Sequence, residues 1–127
     1  MKIRIRGNSL RFRLGRSEVQ AFGLSGMIEE RVEFGPPPQI DFCYRLEKTS
    51  GNEFLGSFND GVITVRIPEM LVKHWVESDQ TGLDGSQKLG EQTDLHILIE
   101  KDFVCLNAHN DEDQSDRYPH PKGEEAC

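Results

Sequence analysis

The chain has no long apolar run and few cysteines, and both features limit the classes of protein to which it can belong. No hydrophobic stretch approaches the roughly 18 residues that a membrane-spanning helix needs. Lysine and arginine interrupt the apolar residues after Met1, so we expect no secretory leader, and no Asn-x-Ser/Thr acceptor occurs. The three cysteines, Cys43, Cys105 and Cys127, cannot all pair within one chain. We therefore predict a soluble, cytoplasmic protein with reduced thiols.

Recognisable catalytic motifs are also missing. The sequence contains neither the Gly-x-Ser-x-Gly turn that carries a nucleophilic serine nor a phosphate-binding loop. His74 lies on a predicted helix, where we expect a surface or boundary residue rather than a base. His96 is out of phase with its apolar neighbours on a predicted strand; it could act as a general base near Glu100, but we expect it to be structural. We assign no catalytic residue and no cofactor, and the sequence leaves open whether the protein is an enzyme.

Charge is distributed unevenly along the 127 residues, whose formal net charge is −7. Residues 1–16 contain six basic side chains and no acidic one, whereas residues 102–127 contain seven acidic side chains against Arg117 and Lys122. A net negative chain is repelled by nucleic-acid phosphates and by anionic membranes, so we expect neither as a partner. The expected partner is a protein or a small anionic ligand, and the sequence is compatible with a homodimer.

Apolar and basic residues alternate along the first fourteen positions. A period of two places alternate side chains on opposite faces of a strand. Gly7-Asn8-Ser9 has turn or bulge chemistry, so the segment predicts either a hairpin or one bulged strand with an arginine-rich face. The apolar side is formed by Ile3, Ile5, Leu10, Phe12 and Leu14, and the basic side by Lys2, Arg4, Arg6, Arg11 and Arg13.

The remaining helices and strands are predicted from helix-capping residues, turn residues and the alternation of apolar side chains. Ser17 to Gln20 has the form of a capping box, and Gly23 is expected to stop a short helix over residues 17–22. Asn59-Asp60-Gly61 predicts a hairpin, and Pro68 is suited to begin a second helix. Residues 78–93 are polar and glycine-bearing and predict a long loop. Strands are predicted over 27–34, 40–47, around Phe54 and Phe58, over 62–67, and as a pair between 94 and 106.

Together these elements predict an α+β fold. We expect a mainly antiparallel, meandering sheet of six or seven strands that can curl into a partly closed barrel, covered by two short helices. Residues 1–106 would form this single domain, and residues 107–127 an acidic C-terminal tail. Phe12-Arg13-Leu14 precedes the first helix as Val65-Arg66-Ile67 precedes the second. This similarity indicates either an internal duplication or a chance likeness between two units of strand, helix and strand.

The arginines supply the leading functional hypothesis. Guanidinium groups match phosphate and carboxylate groups through paired hydrogen bonds. The hypothesis is a non-catalytic module that binds an anionic ligand or partner. The alternative is a metal-assisted, phosphate-handling enzyme in which Glu29, Glu33 and Glu47 hold the ion on the same face. A solvated face with cross-strand Arg–Glu pairs would explain the pattern without any ligand. The candidate ligand-binding residues are Arg4, Arg6, Arg11, Arg13, Arg31 and Arg45.

Other patterns carry weaker hypotheses. Cys105, His109, His120 and Cys127 have the residue types of a zinc site, but no Cys-x-x-Cys pair anchors them. The acidic stretch 111–116 lacks the glycine and glutamate of a calcium loop, although it could fold over the arginine face. Ile67-Pro68 before a helix resembles the strand-to-helix step of swapped-hairpin DNA-binding regulators, which gives a third functional hypothesis.

Several segments also resemble a known family. These are Met1-Lys2-Ile3-Arg4-Ile5-Arg6-Gly7-Asn8-Ser9-Leu10-Arg11, Ser17-Glu18-Val19, Phe103-Val104-Cys105-Leu106 and Glu112-Asp113-Gln114-Ser115-Asp116. They are similar to a small bacterial family, found mostly in Bacteroidetes-like organisms and catalogued as a domain of unknown function. The resemblance covers the whole chain and implies a free-standing, single-domain bacterial protein. It implies no activity, so no functional residue follows from it.

Overall fold

A computed structural model describes residues 1–103 of the chain. They form an α+β fold with two helices, as predicted, and no helix among them has the length and apolar character to cross a membrane. The elements are β1 (Lys2–Arg6), β2 (Ser9–Leu14), α1 (Arg16–Ser25), β3 (Met27–Val32), β4 (Phe42–Thr49), β5 (Leu55–Asn59), β6 (Val62–Pro68), α2 (Glu69–Glu77), β7 (Gly82–Lys88) and β8 (Asp94–Lys101).

The strands form two mixed sheets rather than one antiparallel sheet. The first sheet has the order β1-β2-β8-β7 and the second has the order β3-β4-β6-β5. The central pairs, β2 with β8 and β4 with β6, run parallel, whereas the outer pairs run antiparallel. The predicted single sheet of six or seven strands is therefore wrong, and the described strands do not close into a barrel. Alternation sets which residues share a face, but it does not select a neighbouring strand.

One strand, β7, lies in the segment that was predicted to be a loop. It pairs antiparallel with β8 from Gly82, opposite Glu100, to Lys88, opposite Asp94. Its glycines weaken the strand pattern because they remove side chains. A Cβ atom at Gly85 would lie 2.5 Å from the Phe54 ring, so this position requires glycine for close packing. The segment 94–101 forms β8, the first member of the predicted pair, whereas the second member lies, except for Phe103, outside the described residues.

The helices begin and end at residues that differ slightly from the prediction. At the start of α1, the Gly15 N–H donates to the Glu18 carboxylate at 2.9 Å, so the cap uses Glu18 rather than Ser17 and Gln20. The helix continues past Gly23 and ends at Gly26, whose φ of 81° suits a residue without a side chain. In α2, which follows Pro68 as predicted, Val72 and Trp75 are the buried side chains.

The two halves of the described chain share one order of elements and exchange hairpins. Each half follows the order strand, strand, helix, strand, strand. The β1–β2 hairpin of the first half pairs with β7–β8 of the second, and β5–β6 pairs with β3–β4. Four buried positions recur 53 residues apart, which supports the duplication hypothesis: Phe12 and Val65, Leu14 and Ile67, Val19 and Val72, Phe22 and Trp75.

One hydrophobic core joins the two sheets and the helices. The Phe12 and Tyr44 rings, one from each sheet, have centroids 6.4 Å apart. Phe22 and Trp75 bring the two helices into the same core. Because α1 follows β2 and α2 follows β6, the helices lie at one end of the strands, and the turns at Gly7 and Asp60 lie at the opposite end.

Candidate anion-binding face

The basic residues of β1 and β2 share one side of the first sheet. The two strands form a hairpin in which Lys2 is opposite Arg13, Arg4 is opposite Arg11, and Arg6 is opposite Ser9. The intervening Phe12 side chain is fully buried, so the basic residues project from the outer side. We call Lys2, Arg4, Arg6, Arg11 and Arg13 the basic face. An open cleft of about 380 Å³ is lined by four of its members together with Ile3.

Glu100 is the acidic residue in closest contact with this face. It lies on β8 opposite Arg13, and its Oε1 accepts hydrogen bonds from Arg11 Nε at 2.5 Å and from Arg13 Nε at 2.7 Å. Burial would raise the pKa of Glu100, but the hydrogen bonds from the two arginines outweigh burial and lower the pKa. The carboxylate therefore stays ionised and orients two guanidinium groups side by side.

Other acidic groups offset only part of the charge. Lys2 Nζ lies 3.1 Å from Asp102 Oδ2, but the lysine side chain is 76% exposed, so this ion pair contributes little. Asp84 on β7 also projects from the outer side. It is paired with Leu98 of β8, which is in turn paired with Arg11 of β2. His96 is on this side as well, as its phase predicted. Among the residues described, the β1–β2 part of this outer side is therefore mainly basic.

Arg31 and Arg45 lie elsewhere, on the second sheet, because β3 and β4 pair with β6 rather than with β1 or β2. Arg45 Nη2 lies 2.8 Å from Glu29 Oε2, and Arg31 Nη1 lies 3.0 Å from Asp41 Oδ2. The hydrogen bond from Arg45 is the main cause of the lowered pKa of Glu29. These two arginines belong to the cross-strand ion pairs that explain a charged face without a ligand. The expectation of one site with six arginines is corrected to the N-terminal members.

The same topology separates the three glutamates of the enzyme alternative from the basic face. Glu29 and Glu47 lie on the second sheet in ion pairs with arginines, and the exposed Glu33 follows the end of β3. None of the three lies on the basic face. Within residues 1–103, no three His, Cys, Asp or Glu side chains come together as a metal site would require. The zinc candidates Cys105, His109, His120 and Cys127, and the acidic stretch 111–116, lie outside the described residues.

The internal repeat reveals a signal for Glu100 that sequence reasoning missed. Leu46-Glu47-Lys48 and Ile99-Glu100-Lys101 are similar triplets 53 residues apart. Glu47 accepts a hydrogen bond from Arg66 Nε at 3.1 Å, just as Glu100 accepts one from Arg13. Lys48 and Lys101 each donate to a carbonyl near the end of a helix, Gly23 and Ser78 respectively. The Arg–Glu pair beside the parallel strands is thus part of the repeated scaffold.

The rest of the basic face is not repeated. Positions 53 residues after Lys2, Arg4, Arg6 and Arg11 hold Leu55, Ser57, Asn59 and Thr64. These uncharged residues occupy the corresponding strands β5 and β6 and still form the same hairpin. The fold is therefore built without basic side chains at four of the five positions in its second half.

The fold and this face define the class of protein: an α+β protein of two hairpin-exchanged repeats, with a basic outer side on one sheet. The chain belongs to a family of unknown function, DUF7009, whose family model matches residues 1–122. No curated protein and no solved structure matches the chain. The match confirms the resemblance to a domain of unknown function, and the implied bacterial origin stays a prediction.

Proposed function

We propose that the protein is a non-catalytic binding module that holds an anionic ligand, or an acidic segment of a partner, on the basic face. The observation that carries this proposal is the asymmetry between the halves. Both halves form the same hairpin and the same Arg–Glu pair, but four cationic positions of the first half are uncharged in the second. The second half forms its hairpin without these charges, so we assign them a binding role in addition to the contacts of Lys2 with Asp102 and of Arg11 with Glu100.

The arrangement suits an anion in its geometry as well as its charge. Arg4 lies directly opposite Arg11, and Lys2 directly opposite Arg13. Like charges at directly opposed positions of an antiparallel pair cost free energy. Glu100 and Asp102 offset part of this cost, and a bound anion would offset more of it. Arg11 and Arg13 are held by Glu100, so their positions are set before a ligand arrives. Pre-set donors lose less conformational entropy when they bind.

The test reverses charge on the basic face and, in a matched control, elsewhere. The variant Arg4→Glu/Arg6→Glu changes two exposed residues of β1, and the control Arg16→Glu/Lys73→Glu makes the same change in net charge on the exposed sides of α1 and α2. Because charge-assisted hydrogen bonds are strong, we expect the first variant to raise the dissociation constant for pyrophosphate about tenfold or more, measured by calorimetry.

The control should keep the affinity of the wild-type protein, and elution from heparin resin should rank the three proteins in the same way. An equal loss in both variants would mean that only net charge matters, and the proposal would fail. The same would follow from a wild-type protein that binds neither pyrophosphate nor heparin at low salt. Thermal unfolding of each variant establishes that it is folded.

Hairpin exchange between the halves favours a second candidate, the swapped-hairpin DNA-binding regulator. The step from β6 through Pro68 into α2 is the feature that suggested it, and the exchanged pairing is consistent with it. The net charge of −7 opposes it. Duplex DNA of random sequence provides the test. Binding that is lost in Arg4→Glu/Arg6→Glu and declines steeply with salt would favour the regulator, and its absence at low salt would eliminate it.

A further inference from the structure

The end of the molecule opposite the helices exposes large apolar side chains. The turns of β1–β2 and β5–β6 meet there, together with the connections 33–41 and 89–93. Soluble domains rarely cluster exposed apolar residues unless the surface binds something. The exposed fractions are 57% for Ile5, 62% for Phe34, 66% for Ile40, 65% for Phe58 and 52% for Leu89.

Between the two sheets at this end lies an apolar cleft of about 400 Å³. Small-molecule sites typically have volumes of roughly 300–1,000 Å³, so the cleft is large enough for a compact ligand. Apolar residues that correspond in the two halves line its opposite walls. These pairs, each 53 residues apart, are Ile5 and Phe58, Leu10 and Ile63, and Phe42 and Leu95.

The two walls differ in the charge beside them. Ile5 lies between Arg4 and Arg6 on β1, whereas its counterpart Phe58 lies between Ser57 and Asn59 on β5. Among the strands that the structure describes, β1 is at an edge of its sheet, so none of them lies between its arginines and the mouth of the cleft. The Arg4 and Arg6 side chains project from the outer side of β1 and do not line the cleft, so a ligand held in the cleft would reach them around the edge of this strand.

We propose that the cleft binds the hydrocarbon part of an amphiphilic anion, such as a medium-chain carboxylate, whose carboxylate lies against Arg4 and Arg6. Burial of the chain between Ile5 and Phe58 supplies the apolar part of the affinity. The guanidinium groups supply the anion specificity. This inference rests on the proposed function for the anionic half of the ligand and adds the chemical class of the other half.

Decanoate and its uncharged analogue decanol are the probes, and calorimetry on the full chain is the measurement. Phe58→Ser removes one apolar wall, and because Phe58 is 65% exposed the variant is expected to fold. We expect its dissociation constant for decanoate to rise about tenfold. Leu24→Ser is the matched control, since Leu24 is 91% exposed on α1 at the other end, and it should leave binding unchanged.

The charge arm uses Arg6→Glu. It should raise the dissociation constant for decanoate about tenfold while leaving that for decanol unchanged. Equal effects on the two probes would overturn the shared site. Failure of wild-type protein to bind decanoate, with pyrophosphate binding intact, would overturn this inference and leave the proposed function standing. A wild-type dimer in light scattering that Phe58→Ser dissociates would also overturn it, because a second copy would then cover the cleft.

Discussion

Glu100 has two opposite effects on the basic face. Its carboxylate accepts hydrogen bonds from Arg11 and Arg13, so it stabilises the pairing of β2 with β8. It also neutralises part of the charge that would attract an anion, and thus competes with a ligand for the same donors. At this position the optimum for stability and the optimum for ligand binding therefore differ.

Glu100→Gln should therefore lower stability and strengthen anion binding. The ordinary pKa of 4.5 is lowered in the folded protein, so the carboxylate's contribution is complete above that value and is lost as pH falls through the lower, folded pKa. We expect urea unfolding to show a loss of about 1 kcal/mol at neutral pH, as for one ion-pair network that is partly exposed. The difference from wild type should shrink as the pH falls below 4.5 and disappear once the native carboxyl is protonated at its lower, folded pKa.

The affinity of Glu100→Gln for pyrophosphate should rise at neutral pH, because Arg11 and Arg13 lose an internal competitor. Glu47→Gln is the control, since it removes the corresponding carboxylate of the second sheet, 53 positions earlier. It should leave pyrophosphate binding unchanged. A Glu100→Gln variant that is less stable at all pH values and binds no more tightly would show that Glu100 is purely structural.

At the scale of single elements, β7 is the strand that sequence patterns failed to identify. Its buried residue Leu83 lies between two glycines, Gly82 and Gly85, so the alternation that reveals other strands is missing. The glycines are explained by packing: Cβ at Gly85 would lie 2.5–2.7 Å from the Phe54 ring, and at Gly56 2.6 Å from Leu95. Phe54, just before β5, thus packs on β7, and β5 packs against β8.

Gly85→Ala should destabilise the protein, because the added methyl must displace the buried Phe54 ring. Overpacking of this kind typically costs about 1–3 kcal/mol, measurable as a lower midpoint in urea unfolding. Gly90→Ala is the control, since no atom lies within 4 Å of a Cβ built there. Equal midpoints for the two variants would contradict the close packing of β7 against the second sheet.

Other elements could be predicted because their signals are local. The Asp60-Gly61 turn has φ values of 52° and 79°, which the Asp-Gly pair suits, and both helices lie near their predicted positions. Alternation also placed Arg4 and Arg11 on the side away from Phe12. The grouping of Arg31 and Arg45 with them failed, because face assignment within a strand does not indicate which sheet the strand joins.

At the scale of the whole molecule, exchanged hairpins make the halves depend on each other. The central strand β2 finds its parallel partner β8 in the second half, and β6 finds β4 in the first. The halves share one core, so neither buries its apolar surface alone. The link between them, residues 50–53, is exposed and carries none of these contacts.

A chain cut in this link should reassemble from its two pieces. We expect fragments 1–51 and 52–127, produced together, to copurify and to give the circular dichroism spectrum of the intact protein. Each fragment alone, as a monomer, lacks the strand that pairs with its central strand and should give no cooperative thermal transition. A monomeric single fragment that unfolds cooperatively would contradict the exchanged topology.

The sequence by itself determined the local features: the two faces of most strands, the tight turns, the helices and the family. Only the tertiary structure decided that eight strands form two sheets, that Glu100 meets Arg13, and that an apolar cleft opens beside β1. The physical reason is the range of the interactions. Apolar alternation and helix caps depend on residues that are neighbours in the chain. Parallel pairing joins residues as distant in sequence as Arg13 and Glu100. Several strands have the same alternating pattern, so the pattern alone does not show which of them will pair.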